Sequence, residues 1–435
     1  MKLRVFQSDK GDCVLVESST GFRLLADGGM RSSYKAHVAE SMGEIREENG
    51  KLDLVCISHI DRDHIWGILQ MLDDEVAWRV HEFQQANGNP GHKKPKAPRP
   101  PKIDKIWHNG FSQMVDDNKG KLKNMLSQSA EILSASAAPE MLDLSAHHAE
   151  LAASVGDAVQ LSHRIGDRQL GIPLNPEANG KLIMVGKKTP LLKSKGFHVR
   201  VLGPLEEDVE KLRTEWNKWL ERNENALEDM RRRAFEDERQ MASKSDVDRL
   251  LLPLLAQAEQ LGDRSKVTAP NLASIMLLVE ENGATVLLTG DGHAEDILKG
   301  LDHHGKLDAK GRAHVNVLKV QHHGSEHNID ADFCGRVTAD HYVFCGNGAH
   351  ENPDLDVVET LVAARQAEKG KRAYKLWFNS SSSVTEGDTS HMRKLERLVA
   401  TLQNASGGRM QSQFLKESFF DLDAATKLAK AAGAS

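Results

Sequence analysis

Residues 57–67 read Ile-Ser-His-Ile-Asp-Arg-Asp-His-Ile-Trp-Gly, directly after the apolar run Leu54-Val55-Cys56-Ile57. A short, β-prone apolar run reads as a buried strand. The side chains of His59, Asp61, Asp63 and His64 then leave the carboxyl end of that strand on a loop, where α/β folds place their chemistry. Imidazole with carboxylate suits zinc, manganese or iron rather than calcium. Arg62 is the only cation near enough to pair with two aspartates, so a cluster of merely solvated charges is the weaker reading.

The rest of the chain repeats this strand-to-loop pattern. Residues 3–6, 13–16 and 22–26 read as strands, the last ending in Asp27-Gly28-Gly29, and 35–48 and 65–75 read as helices. Strands are expected at 197–202 and within 274–289, the latter ending in Thr289-Gly290-Asp291-Gly292. Val315–Val320 runs into Gln321-His322-His323-Gly324-Ser325, and His341–Phe344 runs into a glycine-rich turn that carries Asn347, His350 and Pro353. Strands interleaved with helical stretches define a mixed α/β protein. Residues 89–105 form a basic, proline-rich loop, since proline removes amide donors. Residues 119–160 look helical, 205–262 read as a charged helical hairpin inserted into the sheet-bearing domain, and 390–435 are expected to be helical.

With 435 residues the chain has length for a large core and one to three domains. No apolar stretch approaches the roughly 20 residues of a membrane span, and the first residues lack the apolar core of a signal peptide. Cys13, Cys56, Cys334 and Cys345 match no zinc-finger or disulfide spacing, which fits a reducing, cytoplasmic setting. The net charge of −6 argues against a tight, non-specific grip on DNA.

In this order the motifs resemble the metallo-β-lactamase superfamily, and most closely the hydrolase domain of the ComEC-type competence DNA-uptake channel. The resemblance is carried by Val5-Phe6 with Gly11-Asp12-Cys13, Asp27-Gly28-Gly29, the His59–His64 loop, Asn271–Ile275 with Thr289-Gly290-Asp291, Lys319–Ser325, and Asn347 with His350 and Pro353. It implies an αββα sandwich over 1–390, interrupted by a helical hairpin at 205–265, with 391–435 as a helical segment packed on the same domain. It also implies two divalent ions, zinc or manganese. His59 and Asp61 would serve one, Asp63 and His64 the other, with Asp291 bridging and His322 as a further ligand. Asp27, Ser325 and Asn347 would support these from behind. Asp63, His323 and His350 would act in catalysis, the last two through substrate contact or proton donation.

Two positions depart from the family pattern. Asp61 stands where a second histidine is usual, which leans the site toward manganese or mixed occupancy. Asn271 stands where a middle histidine is usual, so a single bound ion is the alternative to two. His108 is a candidate substitute, with a purely structural histidine the weightier reading. The leading expectation is a metal-dependent phosphodiesterase, most simply a DNA nuclease acting on nucleic acid or nucleotide. The alternatives are a hydrolase of a cyclic nucleotide, dinucleotide, ester or lactam, and a non-catalytic regulatory subunit that engages a protein partner through 205–265. No membrane association is expected.

Overall fold

A computed structural model describes residues 1–109, 157, 160–207, 209, 273–368 and 372–428. The expected helices within 119–160, most of the 205–265 insertion, and Asn271 lie outside these residues.

Two sheets are stacked. In the first, the strands lie in the order Phe419–Asp423, Lys2–Phe6, Val14–Glu17, Arg23–Ala26, Leu54–Ile57, Ile106–His108. The second runs Met410–Phe414, Tyr374–Phe378, Val337–Phe344, Ala313–Lys319, Ala284–Leu288, Met276–Glu281, Phe197–Gly203, Leu191–Ser194. Side-chain alternation along each strand creates the layers. Leu3, Val14, Val16, Leu54 and Cys56 of the first sheet meet Leu277, Val279, Val286 and Val317 of the second in one buried cluster. Val55 and Ile57, on the opposite face of their strand, pack with Ile65, Ile68 and Leu72 of the helix Arg62–Ala86. On the far side, Leu278 and Leu287 pack under the helices Ala294–His303, Leu355–Ala367 and Ser390–Ala405. Helix, sheet, sheet, helix is the αββα sandwich of the metallo-β-lactamase fold. No described helix is long and apolar enough to cross a membrane.

The C-terminal stretch corrects an expectation. Among its described residues only Ser390–Ala405 is helical; Met410–Phe414 and Phe419–Asp423 are strands, one at an edge of each sheet. The strand Phe419–Asp423 pairs antiparallel with Lys2–Phe6. The physical reason is a period of two: Phe420 and Leu422 are buried while Asp421 and Asp423 are exposed. The proline-rich loop lies along the helix Arg62–Ala86, where Arg99 pairs with Glu75 at 3.0 Å and also with Glu82.

Topology sets the site. The strands Ala284–Leu288, Ala313–Lys319 and Val337–Phe344 are mutually parallel, as are Arg23–Ala26, Leu54–Ile57 and Ile106–His108. The loops leaving their carboxyl ends meet where the sheets join, and the Ile275 amide donates to the Ser58 carbonyl across that junction at 2.9 Å.

Candidate metal centre

Asp291 is the hub. It follows Thr289-Gly290 at the end of a central strand and is buried. Four imidazole Nε2 atoms surround its carboxylate. His64 lies 3.4 Å from Oδ1; His59, His322 and His323 lie 3.5, 3.7 and 3.7 Å from Oδ2. Asp61 approaches His59 Nε2 at 3.4 Å, and Asp63 approaches His323 Nε2 at 3.4 Å. These gaps exceed the usual N–H···O length. They match the separation of about 3.4 Å between two donors that each lie about 2.1 Å from one tetrahedral ion. The Nε2 atoms of His59, His64 and His323, with Asp291 Oδ1, are buried and have no hydrogen-bond partner. Orphaned polar atoms at this depth are rare and ask for a ligand. The donor set therefore fits divalent metal, and the two Asp291 oxygens face different histidines.

Each imidazole is held from behind through Nδ1. His64 Nδ1 lies 2.9 Å from Asp27 Oδ2, His323 Nδ1 2.8 Å from the Cys345 carbonyl, and His322 Nδ1 2.5 Å from Asn328 Oδ1. His59 Nδ1 lies 3.0 Å from Ser58 Oγ, whose own proton goes to Asp27 at 2.8 Å. Such partners fix the tautomer that leaves Nε2 free for metal. Asp61 is the N-cap of the helix Arg62–Ala86 but makes no capping bond, which leaves its carboxylate for His59. Two glycines allow the loops to close. A Cβ on Gly11 would lie 1.8 Å from the Asp63 carbonyl oxygen, and one on Gly67 would lie 1.8 Å from that of Gly28.

Electrostatics follow from the crowding of five aspartates and four histidines. Burial alone would drive the His64 and His323 imidazoliums to low pKa, but Asp291 with Asp27 or Asp12 outweighs it. The His64 pKa stands well above the ordinary value and that of His323 is pushed up to about 10. Burial raises the Asp291 carboxyl, yet the surrounding histidines hold it well below the usual carboxylate range. Metal-free, the two rings carry protons that a divalent ion would displace.

At the His322–His323 turn, where His322 is the expected ligand, both rings bring Nε2 to 3.7 Å from Asp291 Oδ2. Both residues, with φ of 45° and 55°, are left-handed, so the pleat ends at Lys319 and its alternation no longer applies. His323 joins Asp12, His64 and Asp291 in the buried group whose ligand atoms lie within 4.8 Å of one another, while the His322 side chain remains 26% exposed. Non-glycine residues in this region are strained, and strain of this kind concentrates at functional sites.

Other expected residues stand further out. Ser325 shapes the turn, its amide donating to the His322 carbonyl at 2.9 Å. Asn347 donates to Asp9 and accepts from the Ala349 amide. His350 is exposed on the neighbouring turn and makes none of the contacts around Asp291. His108, paired in register with Ile57, is buried, its pKa pushed down to about 4 by that burial, and it too makes no contact with Asp291.

Two residues that the motif reading assigned no role stand in the centre. Asp12 lies 3.2 Å from His323 Nδ1, and Lys319, fully buried, pairs with Asp12. Their only signal was a Gly-Asp turn and a lysine ending an apolar strand. No curated protein matches the chain. Residues 8–115, which carry Asp12, Asp27 and the His59–His64 loop, match the family model of the metallo-beta-lactamase superfamily.

Proposed function

We propose that this chain is a metal-dependent hydrolase that cleaves phosphodiester bonds, most simply in DNA. The observation that carries the reading is the convergence of four Nε2 atoms on Asp291, three of them buried and without a hydrogen-bond partner. Bound divalent cations would supply Lewis acidity toward a phosphoryl oxygen and an acidified water. His59, Asp61, Asp63, His64, Asp291 and His323 are the residues that would hold them. Carboxylates beside imidazoles favour manganese or zinc and offset the ions' charge. His322 is the one histidine of the group that solvent reaches, so it stands where a leaving oxygen could receive a proton. Asp27 and Ser58 keep His64 and His59 aimed.

The phosphodiester assignment draws on the late His322-His323-Gly324-Ser325 motif and its competence-type likeness. The net charge of −6 favours a second substrate reading, a short or cyclic nucleotide in place of long DNA. The test is a manganese- or zinc-loaded full chain assayed against single- and double-stranded DNA, RNA, bis(p-nitrophenyl) phosphate and a chromogenic lactam. Cleavage of DNA and the phosphodiester, lost in Asp291→Ala, supports the proposal. Cleavage of the small diester alone favours the nucleotide reading, and turnover of the lactam alone refutes both.

A further inference from the structure

Lys319 is 3% exposed, yet it is the last residue of a central strand and ends beneath the metal centre. Its ammonium meets Asp12 Oδ2 and donates to the Gly290 carbonyl at 3.1 Å. That same carbonyl accepts from the His322 amide at 3.1 Å, and Thr289 Oγ1 donates to the Lys319 carbonyl at 2.7 Å. The Asp12 amide in turn donates to the Asp63 carbonyl at 3.3 Å. One buried cation therefore joins the turn at Gly11-Asp12, the Gly290-Asp291 turn and the His322-His323 turn.

Asp12 could be mistaken for a ligand, because it lies close to His64, Asp291 and His323. Its approach says otherwise. It faces Nδ1 of His323 at 3.2 Å and Nδ1 of His64 at 3.9 Å, whereas Asp291 faces Nε2 of both rings. An imidazole presents opposite edges through these two atoms, so Asp12 is behind the rings and Asp291 in front. Its Oδ1 is buried without a hydrogen-bond partner, and its Oδ2 is taken by Lys319. Charge agrees with this division. Lys319 cancels Asp12, and the remaining Asp27, Asp61, Asp63 and Asp291 balance two divalent ions.

We propose that Lys319 is a positioning residue of the metal centre: its buried ammonium fixes Asp12 behind His323 and His64 and pins the Gly290-Asp291 turn, so that both imidazoles and the bridging carboxylate keep their aim. The inference rests on the metal reading above. Removal of outer partners of ligand histidines typically weakens metal binding 10–100-fold. Replacing a buried ion pair by neutral groups of similar volume is often neutral for stability.

The test is cobalt(II) titration of the full chain, followed by ligand-field absorption, beside thermal melting of the metal-free protein. The double variant Asp12→Asn/Lys319→Met is expected to melt within a few degrees of wild type. It is expected to bind cobalt about 10–100-fold more weakly, with an altered spectrum. Unchanged or tighter binding with a wild-type spectrum would overturn the proposal and leave the pair a structural one. Should the double variant fail to fold, the isosteric Asp12→Asn decides by the same readout: about 10-fold weaker binding supports the role, and unchanged binding refutes it. A wild-type chain that binds no cobalt sinks the metal reading itself, a result distinct from either.

Discussion

Lowering the pH from 8 to 6 should weaken metal binding at the histidine cluster by up to about four orders of magnitude. Asp291 lies against the Nε2 atoms of both His64 and His323, and both rings hold their protons beyond neutrality, the His323 pKa reaching about 10. Asp12, Asp63 and Asp291 are held below their ordinary pKa once the surrounding charges outweigh burial, so they are ionised throughout this range. An ion that binds both imidazoles releases two protons, and each adds about one logarithmic unit of affinity per pH unit. Two protons over two pH units give the four orders. The metal-free fold moves oppositely. A raised histidine pKa contributes stability that is complete below about 6.5 and fades as the pH rises through about 10. Loss of metal at pH 6 is therefore not unfolding, and melting of the metal-free chain at both pH values separates the two. Calorimetric titration in buffers of different ionisation enthalpy counts the protons. Fewer than one released per ion, or an affinity flat between pH 6 and 8, refutes the reasoning. Asp291→Asn, which removes a charge acting on both rings, should lower the count.

Asp63→Ala and Asp291→Ala should each abolish metal-stimulated cleavage while circular dichroism stays native; residual activity above a tenth of wild type argues against their role. Asp27→Asn should weaken metal binding about 10–100-fold by freeing the His64 ring, read by equilibrium dialysis. Gly11→Ala forces a Cβ to within 1.8 Å of the Asp63 carbonyl, so chemical denaturation should show a loss of at least about 1–3 kcal/mol. Phe420→Ala removes a buried ring stacked on Trp377 across the sandwich and should cost about 3–5 kcal/mol by the same measurement.

The strand ends were legible because each apolar run stops at glycine or at ligand-type residues, as at Ile57, Leu288 and Lys319. His59, Asp61, Asp63 and His64 were visible because they are local in the chain. Asp12 was not, because its place is set by Lys319, more than 300 positions away, and such a contact leaves no trace in spacing. Nor could the sequence reveal which face His322 and His323 present, because left-handed backbone replaces the pleat there. The C-terminal strands were readable in principle from the Phe420/Leu422 alternation. That signal spans only five residues beside a long helix and an alanine-rich tail.

The pairing of Phe419–Asp423 with Lys2–Phe6 has a consequence for biosynthesis. Phe419–Asp423, the outer neighbour of Lys2–Phe6, is synthesised more than 400 residues after it. Until then the amino-terminal sheet has an open edge, and until the second sheet is made the aspartates and histidines of its loops lack the partners supplied by Asp291 and His323. Such an arrangement keeps the candidate metal centre incomplete in the nascent chain until the loops carrying Asp291 and His323 have followed.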